Sequence, residues 1–365
     1  MGLIKKIKSY IRLILQKHLY TATLVEGVLS ETSTPFRCLF VGGNQYRDYL
    51  TQKMYRDSAT ILWQQNIFSI YGVQRLISQS PAVCDLLVAV LPESKEHFLK
   101  NKYSYKSYES IGHLIDVSNP WDVIRNSFGK NARRTERQIQ EYGLSYRISN
   151  ELEDFDYFYD RIYVPYLKMQ FGMLAILHSR DEVKKYFDRG FLMFVIRNGV
   201  RIAGRLAYRD GSKLVCQFFG LLDGNKLYAR IGAQRALYYF TIQYCKLIGI
   251  ETIDPLSSRA FLNEAVYRHK REWNSHVLKS ADLEYAVYFF NVGGLSKTCC
   301  FYEKNPLIIS TDDGLGFLVG KQEIDSTDVE NIKNKLIEKY FAPGLSVAYL
   351  ITEQTNVPQI FSLIP

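Results

Sequence analysis

Hydrophobic and polar positions change period twice between Leu192 and Trp273. FLMFVIRNGVRIAGRLAYRDG is typical of two strands, and SKLVCQFFGLLDGN predicts a third strand. The spacing then becomes helical from near Tyr228 to Leu247, and the short strand GIETIDPL follows. A polar helix that ends at Lys270 completes the segment. Two hairpins, a helix and a strand in this order predict a unit that forms a ligand site.

The flanking regions also mix strand and helix patterns. PFRCLFVGG, AVCDLLVAVLP, EYAVYFFNV, PLIIST and LSVAYLIT predict strands, whereas NQYRDYLTQKMY, DEVKKYFDRG and DSTDVENIKNKLIEKYF predict helices. DSATILWQQNIFSIYGVQRLISQ has apolar residues at both periods and stays unassigned. ELEDFDYFYDRIYVPYLKMQFGM has helical spacing that Pro165 is expected to break. These elements predict an α+β fold with mixed sheets flanked by helices.

Length and element order indicate the domain organisation. At roughly 150 residues per domain, 365 residues suggest two domains. The strand–helix order of the two halves suggests an internal duplication. We therefore expect an N-terminal helix over 1–20, one domain over 21–145 and a second over 146–283. Residues 284–365 have β-α-β character and are expected to complete the N-terminal domain.

The first helix is basic and amphipathic. Apolar residues of the segment 2–18 fall on one face at 100° per residue, and Lys5, Lys6, Arg12 and Lys17 lie away from it. A helix of this type lies on an anionic membrane surface. The alternative is a helix docked on the domain with its lysines in water.

Composition restricts the partners and the compartment. The formal net charge of +9 favours an anionic partner, although many basic proteins gain only solubility from their charge. The six cysteines show no C-x-x-C spacing, the six histidines show no metal-ligand spacing, and there is no G-x-S-x-G. No stretch approaches the roughly 20 apolar residues of a membrane span. We expect a reduced, cytoplasmic protein without a metal or a secretory signal.

Cations recur after a predicted helix start at Pro120. Lys130, Arg133, Arg134 and Arg137 are spaced three or four residues apart, so one helix would present them on one face. Arginine matches phosphate geometry, and a phosphate clamp is therefore one interpretation. A solvated helix face is the other.

Candidate site residues cluster where predicted elements end. Asp254 follows a strand and precedes Ser257, Ser258 and Arg259, so it is a candidate base or amine anchor, or else a helix cap. Backbone amides from Phe218 to Leu221, including that of Gly220, are candidates for an oxyanion site. The cleft wall and the point where the chain changes direction supply four further polar candidates: Gln217, Tyr163, Tyr166 and Lys168. His269 is expected on the surface.

Four segments in order resemble FemAB-like transferases. FGKNARRTERQIQEYGLSYRIS resembles the K-x-x-RR-x-x-R helix that opens their second domain, and FYDRIYVPYLKMQFG is similar to their F-Y-x-x-Y-x-P…x-x-x-G segment. GVRIAGRLAYRDGSKLVCQFFGLLDGN resembles their central hairpin. GAQRALYYFTIQYCKLIGIETIDPLSSRAFLNEAVYRHKREWN resembles their ending, in which SR and K-x-x-W recur. The resemblance runs from Ser118 to Trp273.

The resemblance implies two tandem domains of the GNAT (Gcn5-related N-acetyltransferase) fold. It implies transfer of an acyl group to an amine, with acyl-CoA or aminoacyl-tRNA as the donor and no bound cofactor. Arg259 and Lys270 match substrate-contacting positions, and Lys270 joins Asp254 as a catalytic candidate. The GNAT pyrophosphate loop, Q/R-x-x-G-x-G/A, is matched by Arg230, Gly232 and Ala233. This loop has one glycine, and its arginine precedes that glycine by two residues instead of three.

The resemblance implies an N-acyltransferase in cell-envelope or polysaccharide biosynthesis. The acceptor would be a phosphorylated or lipid-linked amine, such as an amino-sugar precursor, at the inner face of the membrane. Two alternatives stay open. One is a Fem-like transferase that uses aminoacyl-tRNA, and the other is a catalytically degenerate module that binds lipid or protein. No DNA partner is expected.

Overall fold

A computed structural model describes most of the chain. The described residues are 19–29, 35–99, 104–172, 175–281, 283–321, 329–353 and 357–363. The predicted amphipathic helix over 1–20 falls almost wholly outside them. No helix of the described residues is long and apolar enough to span a membrane.

Eighteen strands are present in the described residues. In chain order they are β1 (Leu19–Val28), β2 (Pro35–Val41), β3 (Thr60–Phe68), β4 (Leu86–Pro92), β5 (Tyr105–Ser107), β6 (Ser110–Asp116), β7 (Ser145–Ser149), β8 (Gly190–Arg197), β9 (Val200–Asp210), β10 (Lys213–Leu221), β11 (Thr252–Asp254), β12 (Ser258–Arg259), β13 (His276–Leu278), β14 (Tyr285–Phe290), β15 (Leu307–Thr311), β16 (Gly314–Lys321), β17 (Leu345–Thr352) and β18 (Gln359–Ser362).

The helices alternate with these strands. They are α1 (Asn44–Met54), α2 (Ser69–Gln79), α3 (Trp121–Ser127), α4 (Lys130–Arg133), α5 (Thr135–Glu141), α6 (Leu152–Tyr157), α7 (Val164–Phe171), α8 (Arg180–Phe187), α9 (Lys226–Arg230), α10 (Ala233–Leu247), α11 (Ala265–Arg271), α12 (Leu295–Lys304) and α13 (Val329–Tyr340). A π-helical segment, Phe158–Tyr163, joins α6 to α7, and 3₁₀ turns lie at Ser80–Ala82, Glu93–Phe98 and Leu222–Gly224.

Two compact units divide the chain. The first comprises 1–111, 259–267 and 279–365, and the second comprises 112–258 and 268–278. The second unit therefore begins at Gly112 and not at residue 146, because β6 pairs with β11 and β13 of that unit. The C-terminal residues from 279 belong to the same unit as the N-terminal ones.

The first unit is built on a ten-stranded sheet in the order β18-β17-β16-β15-β5-β14-β4-β2-β1-β3. Most neighbours are antiparallel, but β2 is parallel to β4 and β16 is parallel to β17. Each parallel pair needs a crossover, and α13 lies in the one between β16 and β17. Continuous apolar runs such as LLVAVLP in β4 are buried throughout, which explains why they lack alternation.

The second unit has an eight-stranded sheet in the order β12-β6-β11-β10-β9-β8-β7, with β13 on β6. The strands β8, β9 and β10 are antiparallel neighbours, whereas β11 is parallel to β10 after the crossover through α10. The predicted order of hairpins, helix and strand is thus confirmed. Two mixed sheets with flanking helices confirm the α+β class.

Three predicted elements differ in detail. The unassigned segment holds both a strand and a helix, β3 and α2, which is why neither period dominated. Pro165 does not end its helix, because it occupies the first turn of α7, where a missing N–H costs no hydrogen bond. The helix predicted from Tyr228 is interrupted at Gly232, whose φ of 86° is left-handed.

Candidate functional site

The strands β10 and β11 separate at the centre of the second unit. Their parallel pairing ends at Val215 opposite Asp254, where β11 stops and β10 continues to Leu221. At the same level β10 is bulged against β9: Cys216 lies opposite Ala207 and Phe218 opposite Leu206. Gln217 is the extra residue. Beyond Val215 the edge of β10 that faced β11 is left open, and we call this open edge the gap. A bulge at this level turns backbone groups of β10 toward the gap, and such bulges are common next to active sites.

The helix α10 follows β10 along the chain and has an uncapped N-terminus at Gly232. Among the described residues no side chain caps its first N–H groups, and N–H groups of this kind are typical anion ligands. The left-handed φ of Gly232 disfavours any residue with a β-carbon, and such a carbon would also lie 2.7 Å from the mobile Oε1 of Gln138. Arg235 lies in the first turn and donates to the same Oε1 at 3.2 Å. Arg230 is exposed at the end of α9, and Ala233, the first residue of α10, is buried.

The predicted basic helix is two short helices. α4 ends at Arg133, Arg134 is the junction, and α5 begins at Thr135, so the cations do not form one stripe. Arg133 and Arg134 are exposed, and no carboxylate among the described residues pairs with either. Glu136 is engaged elsewhere, because it accepts two bonds from Arg125 at 2.6 and 2.8 Å. The two arginines remain accessible to an anion.

The amine of Lys270 is buried inside the second unit. The residue is 3% exposed, and its Nζ donates to the carbonyls of Leu256 and Ser257, both at 2.8 Å. Asp254 fixes this turn, because its Oδ1 accepts from the N–H of Leu256 at 2.8 Å. Leu256 has a φ of 65°, a strained value for a residue with a branched side chain. Asp254, Ser257 and Lys270 are therefore brought together as predicted, although the lysine bonds backbone oxygens and not a carboxylate.

Burial lowers the pKa of Lys270 to about 7, since the charged ammonium loses its hydration there. The charge of Asp254 opposes this effect, and that of Arg205 adds to it. The amine consequently changes between its charged and neutral forms near neutral pH, whereas an exposed lysine stays charged there.

A buried histidine that the sequence did not single out lies behind the turn. His113 is 1% exposed on β6, with Nε2 2.9 Å from Oγ of Ser258 and Nδ1 3.1 Å from Oγ of Ser275. Burial lowers its pKa to about 2, and the charge of Lys270 acts in the same direction. His113 is therefore neutral and positions Ser258. Ser258 is buried, which corrects its assignment as a substrate contact.

A cationic and aromatic wall adjoins Lys270. Arg205, 2% exposed on β9, lies 4.2 Å from the Tyr238 ring and donates to Oγ1 of Thr241 at 3.0 Å. Tyr238 stacks on Trp273 with ring centroids 5.6 Å apart, and His269 meets Tyr238 edge-on at 4.7 Å. Arg205 could be recognised from the sequence only as a charge within an apolar strand.

His269 was wrongly expected on the surface. Burial, and to a smaller extent the charges of Arg205, Arg235 and Lys270, together lower its pKa to about 3. Nε2 of His269 and Nε of both arginines are buried without hydrogen-bond partners among the described residues. Buried polar atoms are rarely left unpaired, so several together indicate a place that receives a ligand or water.

The remaining predicted residues are dispersed. Tyr163 is a core residue, 2% exposed and packed on Phe158, so it does not line a cleft. Tyr166 contacts Phe219 with ring centroids 5.1 Å apart, and Lys168 is exposed on α7. Arg259 belongs to the first unit, where it lies 4.8 Å from the Tyr49 ring.

The two predicted donor-site residues on β10 differ in accessibility. The Phe218 side chain is buried, with its ring edge-on to Tyr163 at 5.1 Å, so only its backbone can serve a ligand. Gly220 lets the π-helical segment approach the strand, since a β-carbon there would lie 2.3 Å from the carbonyl oxygen of Ile162. No three His, Cys, Asp or Glu side chains converge as a metal site within the described ranges.

No protein-family model matches the sequence, and no curated protein matches it. Solved structures similar to the chain include FemX, with 11% identity, 74% of this chain and 84% of FemX covered, and a TM-score of 0.40. The match to L-PGS from Bacillus licheniformis has 11% identity and a TM-score of 0.35, and it covers 72% of this chain and 83% of that one. The match to a GCN5-related N-acetyltransferase from Sphaerobacter thermophilus has 11% identity and a TM-score of 0.31, and it covers 69% of this chain and 71% of that one.

These names include both groups that the sequence motifs resemble. Similarity at this identity concerns the fold alone, so a function has to be argued from the residues of this chain.

The buried amine makes stability depend on pH. Lys270 has a folded pKa below its unfolded value, so the unfolded chain binds more protons between about pH 7 and the normal lysine pKa. We predict that the free energy of unfolding of the wild type rises across this window relative to that of Lys270→Met. Urea unfolding of both proteins at pH 6.5, 8 and 9.5 measures the difference. A difference that is constant with pH would contradict the lowered pKa.

Proposed function

We propose that the second unit transfers an acyl group from an anionic carrier to an amine. The observation that carries this proposal is the uncapped start of α10, which holds Arg235 in its first turn. Nε of Arg235 is buried, as are Nε of Arg205 and Nε2 of His269, and none of the three has a hydrogen-bond partner among the described residues. A helix N-terminus attracts anions, and cations without carboxylate partners strengthen that attraction.

The proposed donor is acyl-CoA, whose phosphates would meet the first turn of α10. Gly232 and Ala233 are buried at this helix start, whereas Arg230 lies exposed two residues before Gly232 and Arg235 is half-buried in the first turn. The two arginines are therefore the groups proposed to reach the phosphates. The donor carbonyl would lie in the gap after Gln217. There, backbone N–H groups from Phe218 onward would stabilise the oxygen as it gains negative charge.

The chemistry forms one C–N bond and breaks one C–S bond. The acceptor amine must be neutral to attack, so its proton leaves to water or to a base, and the departing sulfur gains a proton or a nearby positive charge. We propose that Lys270, with a pKa lowered to about 7, supplies that proton or charge. Asp254 would act by holding the turn on which Lys270 depends.

The proposed acceptor is an amine on a phosphorylated or lipid-linked precursor of the cell envelope or of a polysaccharide. Exposed, unpaired Arg133 and Arg134 support a phosphate on that molecule, and Lys168 offers a further accessible cation. We further propose that the protein is cytoplasmic and lies at the inner face of the membrane.

Replacing Arg230 tests the donor site. We predict that Arg230→Gln weakens CoA and acetyl-CoA binding about tenfold, as expected for one charge-assisted phosphate contact. Isothermal titration of both ligands measures this, with Lys185→Gln as the control, since Lys185 is an exposed cation on α8. An unchanged Kd in Arg230→Gln would remove the phosphate site from α10. No heat from the wild type with either ligand would favour a degenerate binding module.

A second candidate donor is aminoacyl-tRNA, favoured by the accessible arginines at the junction of α4 and α5. If they contact RNA phosphates, the salt dependence of tRNA binding should flatten by about 1.4 in log–log slope in Arg133→Gln/Arg134→Gln, at roughly 0.7 per single-strand phosphate. Filter binding between low and moderate salt measures the slope. An equal slope in wild type and variant would dismiss tRNA contact at this junction.

Residues 2–18 provide the proposed membrane contact, on the strength of their sequence pattern. Their deletion should abolish co-sedimentation with liposomes that contain anionic lipid, and sedimentation with neutral liposomes should be the same with and without the segment. Equal co-sedimentation of the full and shortened chains would show that the segment does not bind the membrane.

A further inference from the structure

The strand β3 lies at one edge of the ten-stranded sheet and has β1 as its strand neighbour among the described residues. Its outer edge therefore presents backbone N–H and C=O groups to whatever lies beside it. Large apolar side chains along the strand are exposed: Ile61 is 54% exposed, Leu62 43% and Phe68 67%. Exposed apolar residues on an open edge are typical of a strand that pairs with another chain.

Natural edge strands are usually protected by shortness, charge, proline or bulges. The opposite edge of this sheet follows the rule, because β18 has four residues. β3 has nine residues and contains no Lys, Arg, Asp, Glu or Pro. Its one irregularity against β1 is the extra residue Leu62, near the start of the strand. From Trp63 to Phe68 the strand is regular and unprotected.

The sequence of β3 is complementary to itself. In an antiparallel pair of two copies centred on Gln65, Trp63 faces Ile67, Gln64 faces Asn66 and Leu62 faces Phe68. From Leu62 to Phe68 each apolar side chain then meets an apolar one and each amide meets an amide, whereas Ile61 lies beyond the paired segment. Paired residues in this register differ by an even number, so they lie on the same side of the sheet, as a two-fold axis normal to the sheet requires.

We propose that β3 pairs with β3 of a second copy of this chain, antiparallel about Gln65, so that two ten-stranded sheets become one continuous sheet. Nine residues span about 30 Å at 3.3–3.4 Å each, enough for a full ladder of inter-strand hydrogen bonds. An unrelated strand has no reason to match this pattern of apolar ends and an amide centre. The absence of charge on β3 removes the repulsion that separates identical edges.

Gln65 is the decisive position, because it faces itself across the axis. Gln65→Lys places two ammonium groups opposite each other, and like charges directly opposite are destabilising. The side chain is exposed in the single chain, so the substitution should not disturb the fold. Gln65→Glu has the same effect with the opposite sign. Mixing the two variants restores attraction across the axis.

Light scattering coupled to size-exclusion chromatography tests the proposal on the full chain. The wild type at micromolar concentration should have twice the 42.4 kDa mass of one chain. Each Gln65 variant alone should elute at the single-chain mass with an unchanged Tm, and their equimolar mixture should regain the doubled mass. Gln359→Lys, the same change at an exposed site on the β18 edge, should keep the doubled mass.

Three results would overturn the proposal. The first is a wild type that still has the single-chain mass at about 100 µM, a concentration at which a dimer with a micromolar Kd would be formed. The second is a doubled mass that persists in both Gln65 variants. The third is loss of the doubled mass in Gln359→Lys, which would move the interface to the other edge of the sheet.

Discussion

The amine of Lys270 is buried where two backbone carbonyls, and not a carboxylate, receive it. Removing a lysine amine from water is costly unless it is bonded, so the turn that offers these carbonyls has to be held in place. Asp254 holds it from the β11 side, and His113 holds Ser258 from β6. The turn at Leu256, the end of β11 and the strand β6 are thus all linked to the burial of the Lys270 amine. Leu256 keeps its strained backbone within this turn.

The same burial shapes the electrostatics around the site. Arg205 and Arg235 lie close enough to His269 to depress its pKa together with Lys270, and no bound carboxylate neutralises them in the described residues. A neutral Lys270 reduces the repulsion among these groups, which agrees with a pKa lowered to about 7. An anion at the start of α10 would reduce it further. An acyl carrier with phosphates therefore suits this region better than a neutral donor.

Features that depend on residues near each other in the sequence could be predicted, and features that depend on long-range contacts could not. The hairpins β8–β9–β10 and the crossover to β11 follow from periodicity, which is a local property. The helix start at Gly232 was missed, because helical spacing already begins near Tyr228. The joining of β6 to the second sheet depends on contacts between residues more than 130 positions apart, and no local pattern predicts it. For the same reason Arg205 and His113 were missed, and Tyr163 was assigned to a cleft although it fills the core.

The pKa of Lys270 tests this account most directly. A proton–nitrogen NMR titration of the lysine amines, with Lys270→Met to assign the resonance, follows this one group without a substrate. The account predicts a midpoint near 7 and slow exchange with solvent. A midpoint near the ordinary lysine value of about 10.4 would contradict it, because the amine would then be exposed or paired with a carboxylate.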